Sequence, residues 1–364
     1  MESKQQINEV LQAMDSLFEH FFEWLEQQYD PSSGGFYYAR SSKEGYTPDI
    51  ESTAQALNIM VRCGLLPSWD EQKREHMVQF FHNKQRSDSG YFYDEHPDMC
   101  RDEVMVGRAI GYCTNALRKL GSSPRYSLPS EQNSSPSYMQ SPATYRSWLE
   151  SVELSNSWRG CDRISVSTAY LSQLDEAQLR PYLDEAFSWF ESVQDSATGL
   201  WGSGSRYVRI SGTFKLHLFY DRFDVPLTRE QQLFESIKQT LAEDEAKDMC
   251  YIRNPIHLLS YMHISMSDAE ILDILKATYS NMKKLLRADG GFSRELHRSP
   301  PAPNVAQVKD GEWYPDMPSP VCIGAGKVEG DMNAGTQAVL IRSLCYALAG
   351  IKEVPFKSHH QLKG

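Results

Sequence analysis

The chain has 364 residues, with 37 Lys and Arg against 48 Asp and Glu, a formal net charge of −11, 40% hydrophobic and 23% charged residues. That composition is globular: it excludes a disordered or collagen-like chain and a disulfide-dense mini-domain, and the acid excess argues against nonspecific nucleic-acid binding, which needs a cationic surface. The unusual component is aromatic, at 11% with 19 Tyr and 7 Trp.

In chain order, the first element is an amphipathic helix. Val10, Leu11, Met14, Leu17, Phe18, Phe21, Phe22 and Leu25 recur with a 3.6-residue period. The turn Asp30-Pro31-Ser32-Ser33-Gly34-Gly35-Phe36 follows, and its order of acid, glycine and aromatic recurs as Asp88-Ser89-Gly90-Tyr91-Phe92, Asp195-Ser196-Ala197-Thr198-Gly199-Leu200-Trp201 and Asp289-Gly290-Gly291-Phe292. Each turn follows one amphipathic helix, and a second helix comes after a loop. The outer helices are predicted near the N-terminus and over 69–86, 141–152, 175–194, 228–246 and 267–287, with capping boxes at Thr228-x-x-Gln231 and Ser267-x-x-Glu270. The second helices carry small residues and no broad charged face, as in Glu51-Ser52-Thr53-Ala54 and Asn333-Ala334-Gly335-Thr336, so they are expected to be surrounded by protein. Their starts are placed near Pro48, Arg101, Cys161, Ile210, Asn254 and Gly330. About six outer–inner pairs close an all-α, (α/α)6 toroid, expected as one domain over 1–364. Two stretches interrupt the pattern: a Ser/Pro/Asn-rich surface loop over 121–140, and a Pro-rich segment over 299–328 that carries Trp313 and Tyr314 and is read as a wall near the cavity mouth.

These motifs resemble the terpenoid-cyclase and protein-prenyltransferase α/α toroids and, second, the six-hairpin glycosidases. The resemblance rests on Gly34-Gly35-Phe36 with Ser52-Thr53-Ala54, on Gly290-Gly291-Phe292, and on Glu329-Gly330-Asp331 leading into the last inner helix. It implies a fold, and it spans nearly the whole chain. The Asp-x-Asp-Asp acid motif of class II cyclases is absent.

Several chemistries lack their signature. There is no Walker loop, no G-x-G-x-x-G after a strand, no G-x-S-x-G and no H-E-x-x-H. The seven Cys (63, 100, 113, 161, 250, 322 and 345) form no C-x-x-C pair and are expected to be reduced thiols. No cofactor and no metal is expected. With no apolar signal core and no apolar run of about 18 residues, the expected location is cytoplasmic, without a membrane span.

In a toroid the inner-helix N-termini are expected to gather at the cavity mouth, with their unpaired N–H groups and positive dipole ends. The residues at those starts are therefore the site candidates. Asp49, Glu51, Glu103 and Asp162 are candidate general acids and bases, with His217, His257 and Tyr220 as alternative bases. Asp at such a position also caps its helix, so each of these acids has two readings. Tyr37, Tyr91, Trp158 and Trp313 offer faces for a sugar ring. Arg101, Arg163, Lys215 and Arg253 can hold a carboxylate, and Asn254, Asp331 and Asn333 can bind hydroxyls. The leading expectation is a hydrolase, lyase or epimerase of a small sugar, uronates included. A cyclase acting on a polyprenyl substrate and a non-catalytic binding scaffold are the alternatives. The oligomeric state is not legible in the sequence.

Overall fold

A computed structural model describes residues 2–96, 99–129, 136–303 and 319–356. Its helices are α1 (Glu2–Ser16), α2 (Phe21–Glu26), α3 (Ile50–Arg62), α4 (Glu71–Lys84), α5 (Glu103–Lys119), α6 (Pro142–Ser151), α7 (Ser157–Val166), α8 (Thr168–Leu171), α9 (Glu176–Val193), α10 (Arg206–Arg222), α11 (Glu230–Glu243), α12 (Met249–Tyr261), α13 (Asp268–Leu285) and α14 (Met332–Leu348). Among the described residues there is no β-strand, only isolated bridges.

Packing closes the inner ring. α3 lies on α5, α5 on α7, α7 on α10, α10 on α12, α12 on α14, and α14 returns to α3. α1, α4, α6, α9, α11 and α13 precede these in turn and form the outer layer, which makes the chain an α/α toroid. The inner helices run parallel, because corresponding turns meet: Asn254 Nδ2 on α12 donates to Ser211 Oγ on α10 at 2.9 Å, and Asn333 Nδ2 at the start of α14 donates to Glu51 Oε1 at the start of α3 at 3.2 Å. Small residues permit the close contacts. A Cβ on Gly212 of α10 would lie 1.9 Å from Ser157 Oγ of α7, so only glycine fits there.

The recurring turns are architectural. The residue leaving each outer helix bridges to the aromatic: Tyr29 to Phe36, Gln85 to Phe92, Gln194 to Trp201 and Leu286 to Phe292. All four aromatics are buried as plugs. The inner helix receives the plug through a threonine: the Phe36 N–H donates to Thr53 Oγ1 at 2.9 Å and the Trp201 N–H to Thr213 Oγ1 at 3.4 Å. Gly290 (φ +90°) lies so close to His20 that a Cβ would meet its carbonyl oxygen at 2.7 Å. At this contact the first amphipathic stretch splits into α1 and α2 instead of running on as one helix.

Three inner helices start about a turn earlier than the small-residue pattern suggests. Their caps are Asn156, Ser205 and Asp248, each accepting a backbone N–H. The first turn of α10 carries Arg206 and Arg209, which pair with Asp244 and Asp195, so its charge hides the helix start from a search for uncharged segments. The Ser267 capping box forms, whereas Thr228 donates to Gln194 Oε1 at 2.6 Å and α11 begins after Arg229 in a left-handed conformation. In the 121–140 stretch, Ser137–Met139 form a 3-10 turn covered by Tyr182. Of the 299–328 stretch, residues 304–318, and with them Trp313 and Tyr314, lie outside the described residues. Among the described residues no helix is long and apolar enough to cross a membrane.

Candidate active site

The inner ring surrounds a cavity of about 770 Å³, within the usual range for small-molecule sites. Its wall is a largely polar stripe at helical spacing on five of the inner helices: Gln55, Asn58 and Arg62 on α3, Arg108, Tyr112 and Lys119 on α5, Lys215 on α10, Arg253, Asn254 and His257 on α12, and Asn333 and Gln337 on α14, with Leu218 and Leu340 as apolar members. Trp158 of α7 and Phe214 of α10 supply aromatic surface. The open end is not where the sequence reading puts it. Exposure rises towards the C-terminal ends of the inner helices, from 7% at Asn333 to 38% at Leu218 and 41% at Val61, while Arg294, Pro303 and Asn333 at the N-terminal end are buried.

The acids at that N-terminal end are mostly engaged. Asp102 caps α5 and pairs with Arg159 at 2.8 Å, Asp248 caps α12 and pairs with Arg294 at 3.2 Å, and Asp331 caps α14 while accepting from Ser299 Oγ at 2.7 Å. Burial pushes the Asp331 carboxyl up to about 6. Glu51 Oε1 accepts from Arg108 Nη2 at 3.0 Å, Gln55 Nε2 at 3.0 Å and the Tyr112 hydroxyl at 3.3 Å, besides Asn333. Glu51 thus organises the wall.

Asp49 differs from these. One oxygen caps α3 by accepting the Ser52 N–H at 2.8 Å, and the other has no partner among the described residues. Burial, with Asp94 as a like-charged neighbour, pushes its carboxyl up to about 7. Asp94 itself is anchored by Lys84 at 3.1 Å. Asp49 borders a 30 Å³ side pocket, roofed by Met99, Met105, Val321 and Ile323, that shares Arg108, Tyr112 and Pro303 with the main cavity.

Asp162 is the ionised counterpart. It lies inside α7 rather than at its start, and its Oδ1 is 2.7 Å from Lys215 Nζ. Burial works against its charge, but Lys215 and Arg108 outweigh that and hold the carboxyl below its ordinary range. Lys215 also lies over the Trp158 ring at 5.9 Å.

Six cations line the cavity, and three have a carboxylate partner: Arg108 with Glu51, Lys215 with Asp162 and Arg294 with Asp248. Lys119 bonds Asn58, and Arg62 and Arg253 have no carboxylate partner among the described residues. Arg253 stacks on Phe214 at 3.9 Å, and burial, with Arg108 and Arg294 nearby, holds its guanidinium below the ordinary value. Beside it, burial and Arg253 keep His257 neutral, lowered to about 3, and burial lowers His217 to about 4. Among the described residues no group of three or more His, Cys, Asp or Glu is placed to hold a metal ion.

Of the sequence candidates, the structure brings Trp158, Lys215, Arg253, Asn254, His257 and Asn333 to the cavity wall, with Glu51 and Asp162 bonded to it and Asp49 on the side pocket. It places Glu103, Arg101 and Arg163 at the exposed surface and Tyr220 in the core against Phe187 and Phe190. Tyr37 lies beside Lys43 and Tyr91 stacks on Tyr93, both away from the cavity wall, and His217 packs behind His257. Sequence reasoning missed Gln55, Arg62, Arg108, Tyr112, Lys119, Arg294 and Gln337. The signal for most of them was present: polar residues three, four or seven apart on helices that are otherwise buried.

No protein-family model matches the chain, and no curated protein is similar. Among solved structures the chain is similar to a variant of the type II terpene cyclase MstE from Scytonema, in complex with the substrate geranylgeranyl dihydroxybenzoate. The identity is 13% over 95% of this chain and 99% of that one, with a TM-score of 0.47. That likeness belongs to the fold.

Proposed function

We propose that the protein is an enzyme that takes a small anionic, hydroxyl-bearing molecule into its central cavity, with an acidic sugar such as a uronate as the best-fitting substrate class. The observation that carries this reading is the cation excess of the cavity wall in a chain whose net charge is −11. Arg253 is half-buried with its Nε unpartnered among the described residues, and a guanidinium drawn from water in this way is costly, a cost that an anionic ligand relieves. In this reading Arg253 and Lys215 hold the carboxylate, Asn254, Asn333 and Gln337 bond hydroxyls, and Trp158 offers a face to ring C–H groups. Asp49, protonated near neutrality, is the proton donor, and Asp162 is the standing anion. Two carboxyls pushed apart in this way are the usual basis of acid–base work. Hydrolysis, elimination and epimerisation all fall within that chemistry.

The second reading is a cyclase-like enzyme. One feature favours it: the apolar roof over Asp49, which suits proton donation to a carbon–carbon double bond. The main cavity, with amides and cations on most faces, suits a long prenyl chain less well. The test is titration calorimetry with methyl β-glucuronide and a prenyl diphosphate, followed by product analysis with Asp49→Asn. Saturable glucuronide binding supports the first reading. Binding and turnover of the prenyl compound alone replaces it with the second.

A further inference from the structure

Cations line the cavity along the whole barrel axis: Arg253 and Arg294 towards the N-terminal ends of the inner helices, Lys215 further along, and Arg62 and Lys119 at the C-terminal, open end. The open end adds apolar side chains, Val61, Leu218 and Leu340, and the first two of these are 41% and 38% exposed. Few large apolar side chains in the described surface reach that exposure, and two of them flank one opening. Scattered exposed apolar residues need no explanation; a pair at the rim of a cationic cavity, with Arg62 and Lys119 beside it, has one. We infer that the natural ligand is amphiphilic: its anionic head enters as far as Arg253, and an apolar substituent leaves the cavity between Val61, Leu218 and Leu340. This rests on the proposed anion-binding cavity and adds the aglycone or chain as a second specificity element. Val61 and Leu218 are then specificity residues rather than catalytic ones.

The experiment uses the full chain and two probe series, methyl, butyl and octyl β-glucuronides and the corresponding alkyl phosphates, titrated below their micellar concentrations. Each fully buried methylene is worth about fourfold in affinity. A half-exposed rim covers only part of an octyl chain, so octyl is expected to bind at least tenfold more tightly than methyl. Leu218→Ser and Val61→Ser, both at exposed positions, are expected to cut that octyl-over-methyl ratio below threefold. Equal binding of methyl and octyl overturns the inference, as does a chain-length gain that survives both variants, which would put the chain elsewhere, for example in a second pocket lined by Leu11, Phe18, Phe22 and Phe356. Octyl binding with no methyl binding in either series contradicts the headgroup assignment while leaving the apolar exit supported. Absence of binding in both series overturns both.

Discussion

At the N-terminal end of the inner ring, Asp102 and Asp248 sit under helix starts with Arg159 and Arg294 against them, and each carboxylate oxygen finds a partner. About a turn further along α12, Arg253 lies in the cavity wall with no carboxylate beside it. Both regions bury charge, but only the first neutralises it. The acids that stand out in the sequence are therefore largely capping residues, and the cavity-wall cations Arg62 and Arg253 are left without a carboxylate partner among the described residues.

Breaking the neutralised end should have the largest effect. Asp248→Ala removes a cap and leaves Arg294 buried without its partner, so a loss of about 3–5 kcal/mol is expected by urea denaturation. A loss under about 1 kcal/mol would mean that Arg294 reaches water. Asp49 tests the boundary between the two regions. Its folded-state carboxyl is raised from 3.8 to about 7, so the folded chain holds a proton that the unfolded chain has lost over that range. Its stability contribution is present at low pH and declines as pH rises from about 4 to about 7. Asp49→Asn keeps the cap, so the variant should match the wild type near pH 4 and exceed it by about 2–4 kcal/mol at pH 8. A constant difference across pH would refute the raised carboxyl. If Asp49 donates the proton, wild-type kcat/KM falls as pH rises through about 7.

The cavity should respond in the opposite way. Arg253→Gln removes an uncompensated charge, so stability should be unchanged or higher, while binding of an anionic ligand weakens by about 10- to 100-fold, the worth of a charged hydrogen bond. Concurrent unfolding would reassign Arg253 to the structural set. The smallest effect is expected at the periphery: Ser267→Ala should cost about 1 kcal/mol through the lost capping box, read as a drop in Tm.

The fold was legible because its units repeat. Phe36, Phe92, Trp201 and Phe292 mark their turns in sequence just as they plug them in the structure, and the outer-helix bounds follow from periodicity. The candidate site was legible only in part. Arg253, Asn254 and His257 were found because they lie near a predicted helix start; Arg108, Tyr112 and Gln337 were missed because they lie beyond the first turn, where only the spacing of polar residues marks the inward face. The open end was misplaced for a related reason. Helix starts attract attention as dipole ends, yet here their N–H groups are satisfied by Asp49, Asp102, Asp248 and Asp331, and the opening lies at the other end.

The central claim, that the cavity exists to hold an anion, is tested most directly by titrating methyl β-glucuronide and methyl β-glucoside into the wild type and Arg253→Gln by calorimetry. The account predicts that the glucuronide binds the wild type at least tenfold more tightly than the glucoside and that Arg253→Gln abolishes the difference. Equal affinities for the charged and neutral sugars, or a preference untouched by Arg253→Gln, would contradict it.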